Sequence, residues 1–183
     1  SRPDPSRPVV LVYGPDAGLV HERAQALVRA FVDDPSDSFS LIRIDGDDLR
    51  HFVERATWVA VNDYEARLLV DRTGWSEEQV AGKVRALIVT HGASGSTIRA
   101  GGECCEIPAV KPRAVLDPTG CGDAYRAGML HGIARGMSWG DTGRLASLLG
   151  ALKIAHKGTQ NHTFTPASLA RDFRAAFGHD LRL

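Results

Sequence analysis

The chain is predicted to fold as a three-layer α/β sandwich, with a mainly parallel sheet and helices on both faces. Three observations predict it. Apolar runs of strand length at residues 9–12, 39–44, 57–61 and 86–90 each run into a turn rich in glycine, aspartate or asparagine. Stretches with apolar residues at helical spacing lie between or after them. The 183 residues are enough for one compact domain with a sizeable core.

Residues 1–8 are rich in proline and read as a frayed end. Residues 9–12 are a buried-type strand turning through Gly14-Pro15-Asp16-Ala17-Gly18-Leu19. Residues 20–32 read as a helix with Leu27, Val28 and Phe31 on its apolar face, and residues 39–44 return as a strand before Asp45-Gly46-Asp47-Asp48. This is one βαβ unit. The strand at 57–61 ends in Asn62-Asp63-Tyr64-Glu65, and the strand at 86–90 ends in His91-Gly92-Ala93-Ser94-Gly95. An antiparallel hairpin is expected near residues 98–107. Helices follow at 123–136 and 141–157, the second with Leu145, Leu148, Leu149, Leu152 and Ile154 as core positions. After the turn Gly158-Thr159-Gln160-Asn161, a last helix at 166–177 starts with proline near its first position and covers the outside.

The run Asp117-Pro118-Thr119-Gly120-Cys121-Gly122-Asp123-Ala124 carries the most chemistry. Glycine lets a backbone approach an anion, and the first N–H groups of the following helix point at it with the positive end of the helix dipole behind them. An acid one residue further on can take a proton. Alone, the run reads equally well as a glycine-rich helix start whose aspartate complements the dipole. Asn62 and Glu65 likewise read as an N-cap with its capping-box partner, and the glycines after Thr90 as a β-turn.

Taken together in this order, the motifs resemble the ribokinase (PfkB) family of sugar and nucleoside kinases, over about residues 50–183. The resemblance implies ATP-dependent phosphoryl transfer to a sugar or nucleoside hydroxyl. It makes Asp123 the base that accepts the hydroxyl proton, and Gly120, Cys121 and Gly122 the source of N–H donors to the phosphoryl oxygens. It places Thr90, Gly92 and Gly95 near the nucleotide and Asn161 by the adenine or its loop. Asn62 and Glu65 would organise Mg²⁺ and its waters, a task for hard oxygen ligands.

Residues 1–49 resemble the N-terminus of the delta subunit of the bacterial DNA polymerase clamp loader. The turn after Gly14 lacks a lysine followed by serine or threonine, so it is not expected to bind ATP. The two resemblances together imply a chimera, joined near residues 48–52, in which both parts form one compact domain. The family's substrate-binding glycines and acid find no counterpart, so turnover is expected to be impaired. The alternative is a non-catalytic recombined or designed scaffold with residual nucleotide binding.

Lysines and arginines number 22 and acids 22, which argues against a nucleic-acid partner. Three cysteines, two of them adjacent at Cys104 and Cys105, make neither a metal spacing nor a disulfide framework. Cys121, at a helix start, is expected to have a lowered thiol pKa, and His156 and His162 are read as ordinary surface or core residues. No signal peptide or membrane-length apolar run is seen, so a cytoplasmic location and no membrane partner are expected. An exposed sheet edge could support a homodimer.

Overall fold

The computed structural model describes residues 49–181. The expected βαβ unit at 9–44, its clamp-loader resemblance and the proline-rich start lie outside the described residues. Within them run α1 (Leu49–Arg55), β1 (Trp58–Asn62), α2 (Asp63–Thr73), α3 (Glu77–Ala81), β2 (Ala86–Thr90), β3 (Ser96–Ala100), β4 (Glu103–Ile107), α4 (Cys121–Ala134), α5 (Trp139–Ile154) and α6 (Pro166–Phe177).

The described strands form one sheet in the order β1-β2-β3-β4. β1 and β2 are parallel, with Asn62 opposite Thr90, while β2–β3 and β3–β4 are antiparallel. The hairpin therefore stands where the glycine turn predicted it. Among the described strands, the parallel character expected of the whole sheet is carried by β1 and β2.

The sheet is sandwiched because β2 is apolar on both faces. Ala86 and Ile88 point to one side, where Ile98, Ile107, Tyr125, Met129 and Ala146 bring α4 and α5 against it. Leu87 and Val89 point to the other, into a cluster with Val53 of α1, Ala66 and Leu69 of α2 and Val80 of α3. Alternation along a strand thus builds layers above and below. The join expected near residues 48–52 falls at the start of α1, whose Val53 is buried in that second cluster. On the outside, Leu169 and the fully buried Phe173 of α6 pack on Leu145, Leu148 and Leu149 of α5. The last helix starts and stops as the sequence indicates, with Thr165 as N-cap, Pro166 in the first turn and Gly178 closing it in the left-handed conformation.

α4 and α5 approach unusually closely. A Cβ on Gly128 would sit 2.6 Å from Cα of Ala146, and one on Gly132 would sit 2.5 Å from Oγ1 of Thr142. Only glycine allows that approach, and it fixes where the loop before α4 meets the loop after α5.

Candidate active site

The signature loop is built around Asp117. The amides of Leu116 and Asp117 donate to the carbonyl of Ile154, at 2.9 and 3.2 Å, so the loop is hung on the end of α5. The Asp117 carboxylate accepts from the Thr119 amide at 2.9 Å and from the Gly158 amide at 2.8 Å. These two backbone bonds, with smaller help from the Thr119 hydroxyl and the Lys153 charge, hold its pKa at about 2. The Lys153 ammonium, fully buried, donates to the Asp117 carbonyl at 2.6 Å and to the His156 carbonyl at 3.4 Å, and lies 3.9 Å from Oδ2 of Asp117.

Gly120 then turns the chain into α4 with φ +85°, a left-handed conformation that glycine adopts without strain. No side chain caps α4. Its first amide, Cys121, donates to Pro118, and Ala124 donates to Gly120. The amides of Gly122 and Asp123 have no protein acceptor among the described residues. They are the pair available to an anion at the positive end of a 14-residue helix.

Gly122 is helical, and the nearest group to a Cβ placed there would be the Arg126 guanidinium at 3.5 Å. The fold itself does not need glycine at this position; close approach by a ligand would. The Asp123 side chain is 81% exposed and, among the described residues, paired only with Arg126, at 3.1 Å one turn along. Such a surface pair is worth little and is readily broken.

The other predicted motifs reach this helix through a short chain of contacts. Asn62 pairs with Thr90 across β1 and β2, and Thr90 pairs with Ser96 across β2 and β3. The Ser96 hydroxyl bonds the buried Tyr125 hydroxyl of α4 at 2.7 Å. Asn62 and Thr90 end the two parallel strands, where open α/β sheets bind ligands.

Asn62 and Glu65 form a full capping box. Oδ1 of Asn62 accepts from the Glu65 amide at 2.8 Å, and Oε2 of Glu65 accepts from the Asn62 amide at 2.9 Å. Capping uses Oε2 of the half-buried Glu65 and leaves Oε1 outside the capping box. Among the described residues no three His, Cys, Asp or Glu side chains gather into a metal cage. A magnesium here would keep most of its waters and lean on substrate phosphates, as this ion commonly does.

Gly92 has φ +57° and open space around it. Gly95 differs: a Cβ there would overlap the Ile107 carbonyl, so hairpin closure alone demands glycine at that position. Asn161 donates to the Lys157 carbonyl at 2.9 Å and closes the turn at Gly158. Cys121 reverses the expectation of a reactive thiol. Burial pushes its pKa up, and the nearby Asp117 charge adds to that against the opposing Lys153.

A cleft of about 410 Å³ opens between the segment leading to the signature and helices α5 and α6, lined by Val110, Lys111, Leu148, Ala151, Asp172 and Phe177 among others. The Ser147 hydroxyl fixes its floor, accepting from the Val110 amide at 3.0 Å and donating to the Pro108 carbonyl at 2.9 Å. One wall continues by chain into Leu116 and Asp117, the other into Lys153.

Comparison with known proteins gives the family. The model of the pfkB family carbohydrate kinases matches residues 23–166, more than half of the chain. The chain belongs to the pfkB family. The match begins inside the segment likened to the clamp-loader delta subunit, and that second likeness finds no support in these comparisons.

One relative, the nucleoside kinase of Methanocaldococcus jannaschii, is 31% identical over 114 residues, which cover 62% of this chain and 38% of that protein. The structure of Burkholderia thailandensis nucleoside kinase in complex with inosine is 53% identical with a TM-score of 0.73, covering 75% of this chain and 46% of that one. Its complex with ADP-inosine is 48% identical with a TM-score of 0.72, covering 88% and 51%. The chain therefore spans about half the length of these relatives or less.

Three features escaped the sequence reading: Asp117 as the hub of the loop, Lys153 beneath it, and the cleft. Lys153 did leave a signal. It stands four residues after Leu149 and eight after Leu145, on the apolar stripe of α5, where a lone lysine has to find oxygen partners.

Proposed function

We propose that this chain carries the ATP side of a pfkB-family phosphotransferase and moves the γ-phosphoryl group of Mg-ATP to a hydroxyl of a nucleoside. The observation that carries this reading is the uncapped start of α4, with the Gly122 and Asp123 amides free of protein acceptors among the described residues and a carboxylate beside them.

In this reading the purine lies in the cleft by Val110 and Leu148, and the phosphates run toward Gly120 and Gly122. Asp123 leaves Arg126, accepts the hydroxyl proton as that oxygen attacks the γ-phosphorus, and the bond to the β-phosphate oxygen breaks to release ADP. The α4 amides meet the charge that spreads over the phosphoryl oxygens. Thr90 and Gly92 border the phosphates from the sheet side, and Asn161 borders the base from the loop after α5. Glu65 and Asn62 hold waters of the magnesium that arrives with ATP. A nucleoside acceptor is favoured over a free sugar because the Burkholderia protein, about half identical to this chain over the aligned region, was solved with inosine.

The test is transfer of label from γ-labelled Mg-ATP to inosine, with ribose as the control acceptor. Labelled nucleoside monophosphate is expected with inosine, reduced roughly a hundredfold or more in Asp123→Asn. No transfer to either acceptor would contradict turnover by this chain, and equal transfer to ribose would contradict the nucleoside preference.

A further inference from the structure

One buried charge takes no part in the reaction as described. Lys153 is fully buried, yet among the described residues it meets no carboxylate at hydrogen-bond distance; its short contact is to a backbone carbonyl, that of Asp117 at 2.6 Å. With the His156 carbonyl at 3.4 Å and Oδ2 of Asp117 at 3.9 Å, three oxygens from both loops surround the ammonium. Asp117 in turn ties down Thr119 and Gly158 through its carboxylate.

We infer that Lys153 is a positioning residue, a tethered cation that holds the Asp117–Gly120 turn so that the α4 amides face an incoming phosphate. A buried charge is costly, and an apolar side chain of similar volume often serves stability equally well or better. Its place beneath an anion-facing helix start therefore points to a role other than stability. Two further observations agree. A Cβ on Gly120 would lie 3.3 Å from the Thr159 backbone, so the two loops have little room to shift independently. The Lys153 charge also reaches Cys121, the first residue of α4, where it favours the thiolate against burial.

This inference rests on the proposed nucleotide site, and its test separates the two. Lys153→Met keeps the length and removes the charge; Lys153→Arg keeps the charge. Three measurements are made on the full chain: thermal stability, amide hydrogen exchange at Thr119 and Gly158, and calorimetric titration with Mg-ATP. Lys153→Met is expected to melt within a few degrees of the parent or above it. It should lose exchange protection at Thr119 and Gly158 while α5 stays protected, and bind Mg-ATP roughly tenfold more weakly or worse, the factor for one charged hydrogen bond. Lys153→Arg should recover part of both losses.

Unchanged protection and affinity in Lys153→Met would overturn the inference. So would a variant that melts far below the parent with protection lost evenly over the molecule, since Lys153 would then be structural. Should the parent chain itself bind no Mg-ATP, the proposed function falls. Loss of exchange protection confined to Thr119 and Gly158 would still uphold the pin, and its absence would overturn it.

Discussion

The two ends of the candidate site are held in different ways. At the signature, segments distant in sequence converge: Asp117 reaches forward 41 residues to Gly158, and Lys153 reaches back 36 to Asp117. At the strand ends, the side chains of Asn62 and Glu65 bond each other's backbone, three residues apart. Long-range bonds set a loop's shape before a ligand arrives, whereas a capping box fixes only where a helix begins. The signature end is therefore preorganised, a condition that favours transition-state stabilisation, and the strand end, proposed above for magnesium, is left adaptable.

The largest effect should come from breaking the helix pair that brings the two loops together. Gly128→Leu drives a side chain into the Ala146 backbone and is expected to cost about 3 kcal/mol or more in denaturant unfolding. Gly120→Ala attacks the preorganised end directly. Its left-handed φ should cost about 1–2 kcal/mol, with a loss of Mg-ATP affinity larger than that stability change accounts for.

At the adaptable end, Asn62→Ala should cost about 1 kcal/mol as a lost cap. Glu65→Gln keeps an oxygen for the cap, so its stability should stay within about 0.5 kcal/mol of the parent. If Glu65 holds magnesium waters, that variant will need more magnesium for the same ATP binding; an unchanged magnesium requirement would remove Glu65 from the site.

The smallest effect is remote from both ends. His179 bonds Asp141 at 2.8 Å, an interaction that, with the Phe177 carbonyl, raises the His179 pKa. Burial raises the Asp141 pKa, but its bonds to His179 and Arg144 outweigh that and leave it lowered. The histidine's contribution is complete below its unfolded pKa of about 6.5 and fades as pH rises through the elevated folded value. The aspartate's contribution is present above about pH 3.9 and fades in acid. His179→Gln should therefore lower Tm more near pH 6 than near pH 9, whereas an equal loss at both would show the contact to be uncharged.

Much of this was legible in the sequence because it is written locally. The period of α5, the Thr165-Pro166 start of α6 and the glycine turn before β3 all announce themselves within a few residues. α4 begins at Cys121, two residues before the expected start, because Gly120 completes its left-handed turn and leaves the next residue helical. The short helices α1 and α3 went unread: at seven and five residues they carry too few apolar positions to show a period. Asp117 and Lys153 were hidden for the opposite reason. Their roles arise only when α4 and α5 close on one another, and no local spacing encodes a contact across 36 residues.

Calorimetric titration of Mg-ATP into the parent chain, Asp123→Asn and Gly122→Val decides whether the start of α4 is a preformed phosphate cradle. Gly122 has no packing role that valine would offend, so that variant should stay folded while its side chain fills the space before the amides. Saturable binding by the parent and Asp123→Asn, lost in a folded Gly122→Val, is the predicted result. No binding by the parent, or undiminished binding by Gly122→Val, would contradict it.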